Sequence, residues 1–238
     1  NRIGMALMSE RDLDALLGLI LTQARRVSGS DAGSLYLVEK IEGGPDRLHF
    51  LRAQNDSLPD LPSPDFTLPI DRTSIAGYAA SAGEAVLIDD VYEIAEGAPY
   101  TFNRSFDQTH GYRAKSMLTV PMRDHQDEII GILQLVNSMD KSGKVTPFKK
   151  EYELLILSLA SQAAVAIRNA KLIEEIKELF RSLVRYSVKA IDSRSKHTAG
   201  HSSRVAKYSK RFAEALNEEQ DGRLGKIQFT PEQIEELY

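Results

Sequence analysis

SMLTVPMRDHQDEIIGILQLVN, residues 116–137, is the stretch whose reading decides the fold. Two apolar runs, 116–123 and 128–137, flank the polar tetrapeptide Asp124-His125-Gln126-Asp127. Both runs are apolar enough to be buried on two faces. They therefore read as central strands of a sheet, joined by the tetrapeptide as their turn.

Working outward, SLYLVEK (34–40) and RLHFLRAQ (47–54) carry strand patterns around Gly43-Gly44-Pro45, a hairpin signal. Prolines at 59, 62 and 64 forbid a helix in the next loop, and FTLPI (66–70) is a short strand. Ser74 can cap a helix over IAGYAASAG (75–83) that Gly83 ends, and EAVLIDDV (84–91) gives a further strand. Residues 92–113 are polar and aromatic with weak periodicity, which predicts a short helix plus loop. Near the start, Leu13, Leu16, Leu17, Ile20, Leu21 and Ala24 repeat at helical spacing behind Ser9 or Asp12 as cap.

Downstream, the pattern from Pro147 to about Ala190 is one long helix. Leu172, Ile176, Leu179, Leu183, Tyr186 and Ala190 alternate steps of four and three, a coiled-coil seam. A helix of ~40 residues spans ~60 Å, more than a compact domain needs for itself. A lone chain leaves this stripe uncovered, so helix 150–190 reads as a parallel homodimer contact; packing on a further domain is the other reading. Past Ala190 the chain is polar, then amphipathic through Val205, Tyr208, Phe212 and Leu216, and Thr230 with Pro231 opens another helix. The sequence starts without Met and stops inside a helical pattern, so it reads as part of a longer chain.

Composition narrows the function classes. Hydrophobic residues make up 42% and charged residues 27%, a globular balance, and a net charge of −4 gives no footprint for nucleic acid. The absence of cysteine removes disulfides, thiolate metal sites and cysteine nucleophiles, and suits a cytoplasmic setting. No apolar run reaches the ~20 residues that cross a bilayer, and the N-terminal residues lack a secretory pattern. Phosphate-binding Gly-rich loops ending in Lys-Ser/Thr, GxSxG elbows and HExxH motifs are all missing. Asp89 and Asp90 are neighbours in a strand pattern, point to opposite faces, and read as loop caps rather than an acid/base pair. His49 and His125 read as surface or packing residues. His197 and His201 are four apart, which on a helix brings both within reach of one metal. Two ligands alone do not make a divalent site, and a pair of surface histidines is the other reading.

Taken together, residues 10–168 resemble a GAF domain, the sensory fold of cyclic-nucleotide phosphodiesterases and many bacterial signalling proteins. The carriers are DAGSLYLVEK (31–40), QNDSL (54–58), SIAGYAASAGEAVLIDDVY (74–92), FDQTHGYRAKSMLTVPM (106–122) and EIIGILQLVN (128–137). The resemblance implies an α+β fold with a central antiparallel sheet of about six strands. It sets the terminal helices on one face and a ligand pocket on the other, followed by the long coiled-coil-type helix and a partial all-α segment. It also implies that a ligand phosphate meets backbone N–H groups of Ser74, Ile75 and Ala76 at a helix start. Ser34, Gln54, Asn55 and Asp107 would contact a base, with His110, Ala114 and Gln134 as further positions. Ala114 is apolar where cyclic-nucleotide binders often carry Thr. The family's NKxFD motif begins here as Asn137-Ser138 and continues with Phe148 and Tyr152-Glu153, so its Lys–Asp latch cannot form.

Residues 183–238 resemble the opening of an HD-GYP domain, the bacterial module that hydrolyses cyclic di-GMP. Thr198-Ala199-Gly200-His201-Ser202, Arg204-Val205-Ala206 and the helix opened by Thr230 carry that likeness. It implies that His201 ligates a di- or tri-metal centre of iron or manganese in a full-length parent. Some members carry Glu one turn earlier, where this chain has His197. The HD dyad and GYP loop are absent from the sequence, so no catalytic residue is expected within it, although the parent is expected to be a metal-dependent phosphodiesterase. The expected organisation is a sensory domain over 1–168, a signalling helix over 169–190 and a truncated HD-GYP start over 191–238. The expected function is a bacterial regulatory module. A small molecule, a cyclic nucleotide among the options, binds the GAF domain, and the dimeric helix controls the downstream hydrolase. The alternative is a dimerisation platform that binds no ligand.

Overall fold

The computed structural model describes residues 13–59, 65–193, 201–218 and 227–236; Ser9, Asp12 and His197 lie outside them. The chain divides into two units, one ending at Ile173 and the other beginning at Glu174. The first unit runs α1 (Leu13–Ser28), β1 (Ser30–Glu39), β2 (Arg47–Asn55), β3 (Thr67–Pro69), α2 (Ile75–Ala82), β4 (Val86–Ile88), α3 (Ser105–His110), β5 (Met117–Arg123), β6 (Ile129–Met139) and β7 (Val145–Thr146), then the start of α4 (Lys150–Ser193).

The strands form one antiparallel sheet in the order β3-β2-β1-β6-β5-β4, with β7 on the end of β6. The apolar runs 116–123 and 128–137 are β5 and β6, and β6 lies between β1 and β5. Alternation then sorts their side chains. Leu118, Val120, Met122, Leu133 and Leu135 face α1 and α4, joining Leu16, Ile20 and Leu21 of α1 and Ile156, Ala160, Ala163, Ala164 and Ile167 of α4. Met117, Ile132, Tyr36 and Phe50 face the other way, towards α2 and the segment around Val91 and Ala114. Gly131 sits where a Cβ would meet the Tyr36 carbonyl, Met122 and Leu37, so β1 and β6 pair closely only because that position is bare.

Two irregularities set the register. Leu35 pairs with Arg52 but Tyr36 pairs with Phe50, leaving Leu51 as an extra residue in β2. Met122 pairs with Gly131 but Arg123 pairs with Ile129, leaving Ile130 extra in β6. Each bulge moves the side chains beyond it to the opposite face relative to simple alternation. β4 spans only Val86–Ile88 of the predicted 84–91 strand. The chain then turns away, with the Asp90 carboxylate accepting from the Tyr92 N–H at 3.0 Å as a loop cap does.

One turn design appears twice. In Asp124–Glu128 and in Asp140–Lys144 the Asp carboxylate accepts N–H bonds from the second and fourth residues after it. The third residue is left-handed, Asp127 at φ 62° in one and Gly143 at φ 80° in the other. The Asp124 side chain is fully covered and also pairs with Arg168 of α4 at 3.3 Å.

In the second unit α4 continues to Ser193 and is followed by α5 (His201–Glu218) and α6 (Pro231–Glu236). α6 starts with a capping box: Thr230 Oγ1 accepts from the Gln233 N–H at 3.3 Å while Gln233 Oε1 accepts from the Thr230 N–H at 3.0 Å. The Asn217 amide brackets Phe229, bonding both its N–H and its carbonyl at 2.8 Å.

Burial alone pushes the Asp124 carboxyl up, but the Gln126 and Glu128 N–H groups, Arg168 and His125 together overcome it and hold the group below its usual range. The stabilisation is therefore present above the ordinary carboxylate pKa and is lost as pH falls through the depressed folded value. Asp124→Asn should lower the melting temperature at pH 7, and the gap from wild type should shrink steadily as the melts are repeated towards pH 2.

Candidate ligand-binding face

The face of the sheet turned away from α1 and α4 carries one polar row. Strand register aligns Ala53, Ser34, Gln134, Thr119 and Val86 across five strands. Apolar rows border it, Tyr36 with Ile132 on one side and Val136 with Met117 on the other. Ser34 is 9% and Thr119 0% exposed, so this polarity sits inside the fold rather than at its surface. It is satisfied locally, as buried polar groups must be. Gln134 Nε2 donates to Thr119 Oγ1 at 3.1 Å and to Met117 Sδ at 3.2 Å. Burial pushes the Tyr36 phenol up in pKa, while a hydrogen bond with the Ser34 hydroxyl pulls the other way.

The segment from Asp89 to Lys115 covers part of this face and is held by two carboxylates. Asp107, 4% exposed in α3, accepts from the Tyr92 hydroxyl and the Ala114 N–H, both at 2.9 Å. Burial, followed by the Asp107 hydrogen bond, raises the Tyr92 phenol. Arg113 stacks over the Tyr92 ring at 3.5 Å and forks onto Asp90 at 3.1 and 3.2 Å. The second carboxylate is Asp31 at the start of β1, 6% exposed. It accepts from the Tyr112 hydroxyl at 2.7 Å and from the Ser57 hydroxyl at 2.9 Å. Asn137, left-handed at φ 58°, donates to the Tyr112 oxygen at 3.0 Å and to the Arg113 carbonyl at 2.9 Å, and its own side-chain carbonyl accepts from the Lys115 N–H. Burial and the Asp31 carboxylate together drive the Tyr112 phenol far up, so it is a permanent donor.

The predicted residues divide between this face and other places. Ser34 and Gln134 lie in the row, and Asp107 clasps the covering segment. Ser74 caps α2, its Oγ accepting from the Gly77 N–H at 2.9 Å, and Ile75 and Ala76 are buried with Tyr36 and Ile132. Gly77 is required there, because a Cβ would meet the Pro69 and Asp71 carbonyls. Gln54 lies on the other face: the Leu51 bulge turns it towards α1, where its amide bonds Thr22 at 2.9 Å and the Gly18 carbonyl at 3.3 Å. Asn55 closes a local turn onto the Leu58 N–H. His110 is exposed, its Nδ1 3.0 Å from the Phe106 carbonyl and its ring against Phe106. With no Lys–Asp latch, the segment is fastened to β1 and β6 through Tyr112, Asp31 and Asn137. His201 is exposed at the start of α5, and among the described residues no group of three or more His, Cys, Asp or Glu side chains could hold a metal. Nor, among those residues, is any helix long and apolar enough to cross a membrane.

Thr119, Asp31 and Tyr112 escape the sequence reading as functional positions. Thr119 is legible as the one polar residue between Met117 and Met122, but its pairing with Gln134 depends on the Ile130 bulge, which no local signal announces. Two open clefts, about 370 Å³ beside Ile88, Asp90 and Tyr100 and about 290 Å³ beside Tyr92, Phe102 and Arg104, border the covering segment. Neither is lined by Ser34, Thr119 or Gln134.

The family model described as GAF domain matches residues 12–167. The dual 3',5'-cyclic-AMP and -GMP phosphodiesterase 11 of Drosophila melanogaster is 29% identical over 174 residues, 70% of this chain. The match spans 11% of that relative's length. Among solved structures, residues 122 to 287 of a methyl-accepting chemotaxis protein share the fold at TM-score 0.56 and 21% identity, over 72% of this chain and 98% of that one. A GAF domain/HD domain protein from Geobacter sulfurreducens does so at TM-score 0.50 and 15% identity, over 71% and 98%.

Removing the Tyr112 hydroxyl leaves the buried Asp31 with Ser57 alone and strips the Asn137 amide of one acceptor. Tyr112→Phe should cost about 1–3 kcal/mol in urea unfolding and speed amide exchange across 105–115, while Tyr100→Phe, outside this network, should do neither.

Proposed function

The chain belongs to the GAF domain family, and from that premise we propose that it is a sensory module that binds a small molecule on the sheet face opposite α1 and α4. The observation that carries this is the polar row of buried Ser34 and Thr119 with half-buried Gln134 on an otherwise apolar face, under a segment held by hydrogen bonds and ring contacts. Such polarity adds little to a sheet interior, since replacing both partners of a buried hydrogen bond by apolar groups of the same shape can be nearly neutral. It is useful where a ligand with both polar edges and flat apolar surface has to be recognised. The likeness to a phosphodiesterase for both cyclic nucleotides supports a cyclic nucleotide as the first ligand to try. Ser34, Gln134 and Asp107, with the Ser74, Ile75 and Ala76 N–H groups towards a phosphate, form the contact set. Gln54 is left out of it because it faces α1, as are Asn55 in its turn and His110 on the surface.

The output side of the proposal is α4. Its exposed stripe is Ile176, Leu179, Leu183 and Tyr186, at 64, 71, 61 and 73% exposure, and a second copy would cover it. Ligand binding would then shift the equilibrium between two packings of the helix pair by its differential affinity for them. In a longer parent this would set the activity of an HD-GYP phosphodiesterase with an iron or manganese centre that includes His201; the name of the Geobacter sulfurreducens neighbour, a GAF domain/HD domain protein, is in keeping with a GAF domain joined to an HD domain and goes no further. A second reading, dimerisation without ligand, is favoured by one observation: Gln134 Nε2 and both Asp107 bonds are already used inside the chain.

Calorimetric titration with cyclic AMP and cyclic GMP, after mass analysis of denatured protein for a co-purified ligand, separates the two readings. Micromolar binding that weakens about 3–10-fold in Ser34→Ala, the loss of one net hydrogen bond, is the expected result; no heat and no co-purified ligand would exclude these two nucleotides and leave a non-nucleotide ligand or the platform. Leu179→Glu with Leu183→Glu should turn the dimer into a monomer by light scattering, and an unchanged dimer mass would exclude this seam.

A further inference from the structure

We propose that Asn169 is the residue that selects the partner geometry of α4: it pairs with Asn169 of a second copy across a two-fold axis and fixes a parallel, in-register, two-stranded contact. This rests on the dimer reading above and adds to it the residue that decides orientation and register.

Extending the four-three spacing back from Leu172 places Asn169 and Val165 on the same seam, continued by Gln162, Ser158 and Leu155. In heptad terms Asn169, Ile176 and Leu183 occupy a positions, and Val165, Leu172, Leu179 and Tyr186 occupy d positions. Away from the seam, Glu174, Lys177, Glu178 and Arg181 form ion pairs with one another, which marks that side as the solvated one. The two polar amides on the seam differ. Gln162 donates to the Ser158 carbonyl and hydroxyl of its own helix. The Asn169 side chain is exposed, and no hydrogen bond to it is found among the described residues.

An apolar stripe does not choose its own oligomer. Ile176 at a with Leu172 and Leu179 at d favours two strands, but Ile173 and Phe180, 40% and 65% exposed at the adjoining e positions, widen the stripe towards larger bundles. A single Asn at an a position resolves this. Its carboxamide meets the same group of a partner at the same level in a parallel in-register pair, whereas a shift of one heptad sets one Asn169 against Gln162 and the other against Ile176, where it is left unpaired. The selection costs some stability, which is the expected signature of such a device.

The chain has no cysteine, so single cysteines report pairing cleanly. Leu172→Cys and Leu183→Cys, oxidised separately, should each give a disulfide-linked dimer. Only a parallel in-register pair brings both positions within bridging distance of their own copies. Adding Asn169→Ile should raise the melting temperature, add species heavier than a dimer by light scattering, and reduce the bridging yield at both positions. Circular dichroism checks that this exposed substitution leaves the fold intact. Wild type bridging at both positions with an Asn169→Ile variant that keeps the same mass and the same bridges would overturn the role of Asn169 and leave the dimer standing. A monomeric wild type would remove both.

Discussion

The position of β6 governs the rest of the first unit. It pairs with β1 along one edge and β5 along the other, so every residue of its middle must suit two neighbours and two faces at once. Gly131 lets β1 approach at one end, Leu133 and Leu135 build the helix-side core, and Gln134 carries polarity into the other side. Asn137, in the left-handed region near the end of the strand, gathers Lys115, Arg113 and Tyr112. One strand thereby sets the close packing, the polar chemistry of the open face and the attachment of the covering segment.

How much of this was legible follows from where the information lies. Strands β5 and β6, the α2 cap at Ser74 and its end at Gly83, and the long α4 are written in local patterns, and the structure has all of them. The antiparallel sheet came with the family resemblance, and six strands lie on its main path with β7 beside it. Gln54 shows the limit. Its strand is legible in the local pattern, but the direction of its side chain turns on one extra residue, Leu51, and a bulge among apolar residues leaves no mark in composition. The Asp31–Tyr112 pair spans 81 positions, so only the folded chain brings it together.

Two chain segments can be fastened by groups of quite different chemistry. Here the neutral Tyr112 phenol donates to the buried Asp31 carboxylate and accepts from the Asn137 carboxamide, in a chain whose sequence cannot form the family's Lys–Asp latch. Such a fastening has no exposed cation to be screened, and its strength is set by shielding from water rather than by ionic strength.

The buried side of α4 in the first unit is rich in small residues: Ala160, Ala163, Ala164, Ala166 and Ala170 lie among Ile156, Leu159 and Ile167. Methyl groups bring the helix close to the sheet, yet they present shallow relief, with few long side chains keyed into deep holes. Lifting the helix away would open a gap and forfeit dispersion contacts along its length. Sliding it along its axis would in addition break the pair between Arg168 and the covered Asp124. The interface is thus closed by shallow methyl contacts and pinned lengthwise at one charged pair.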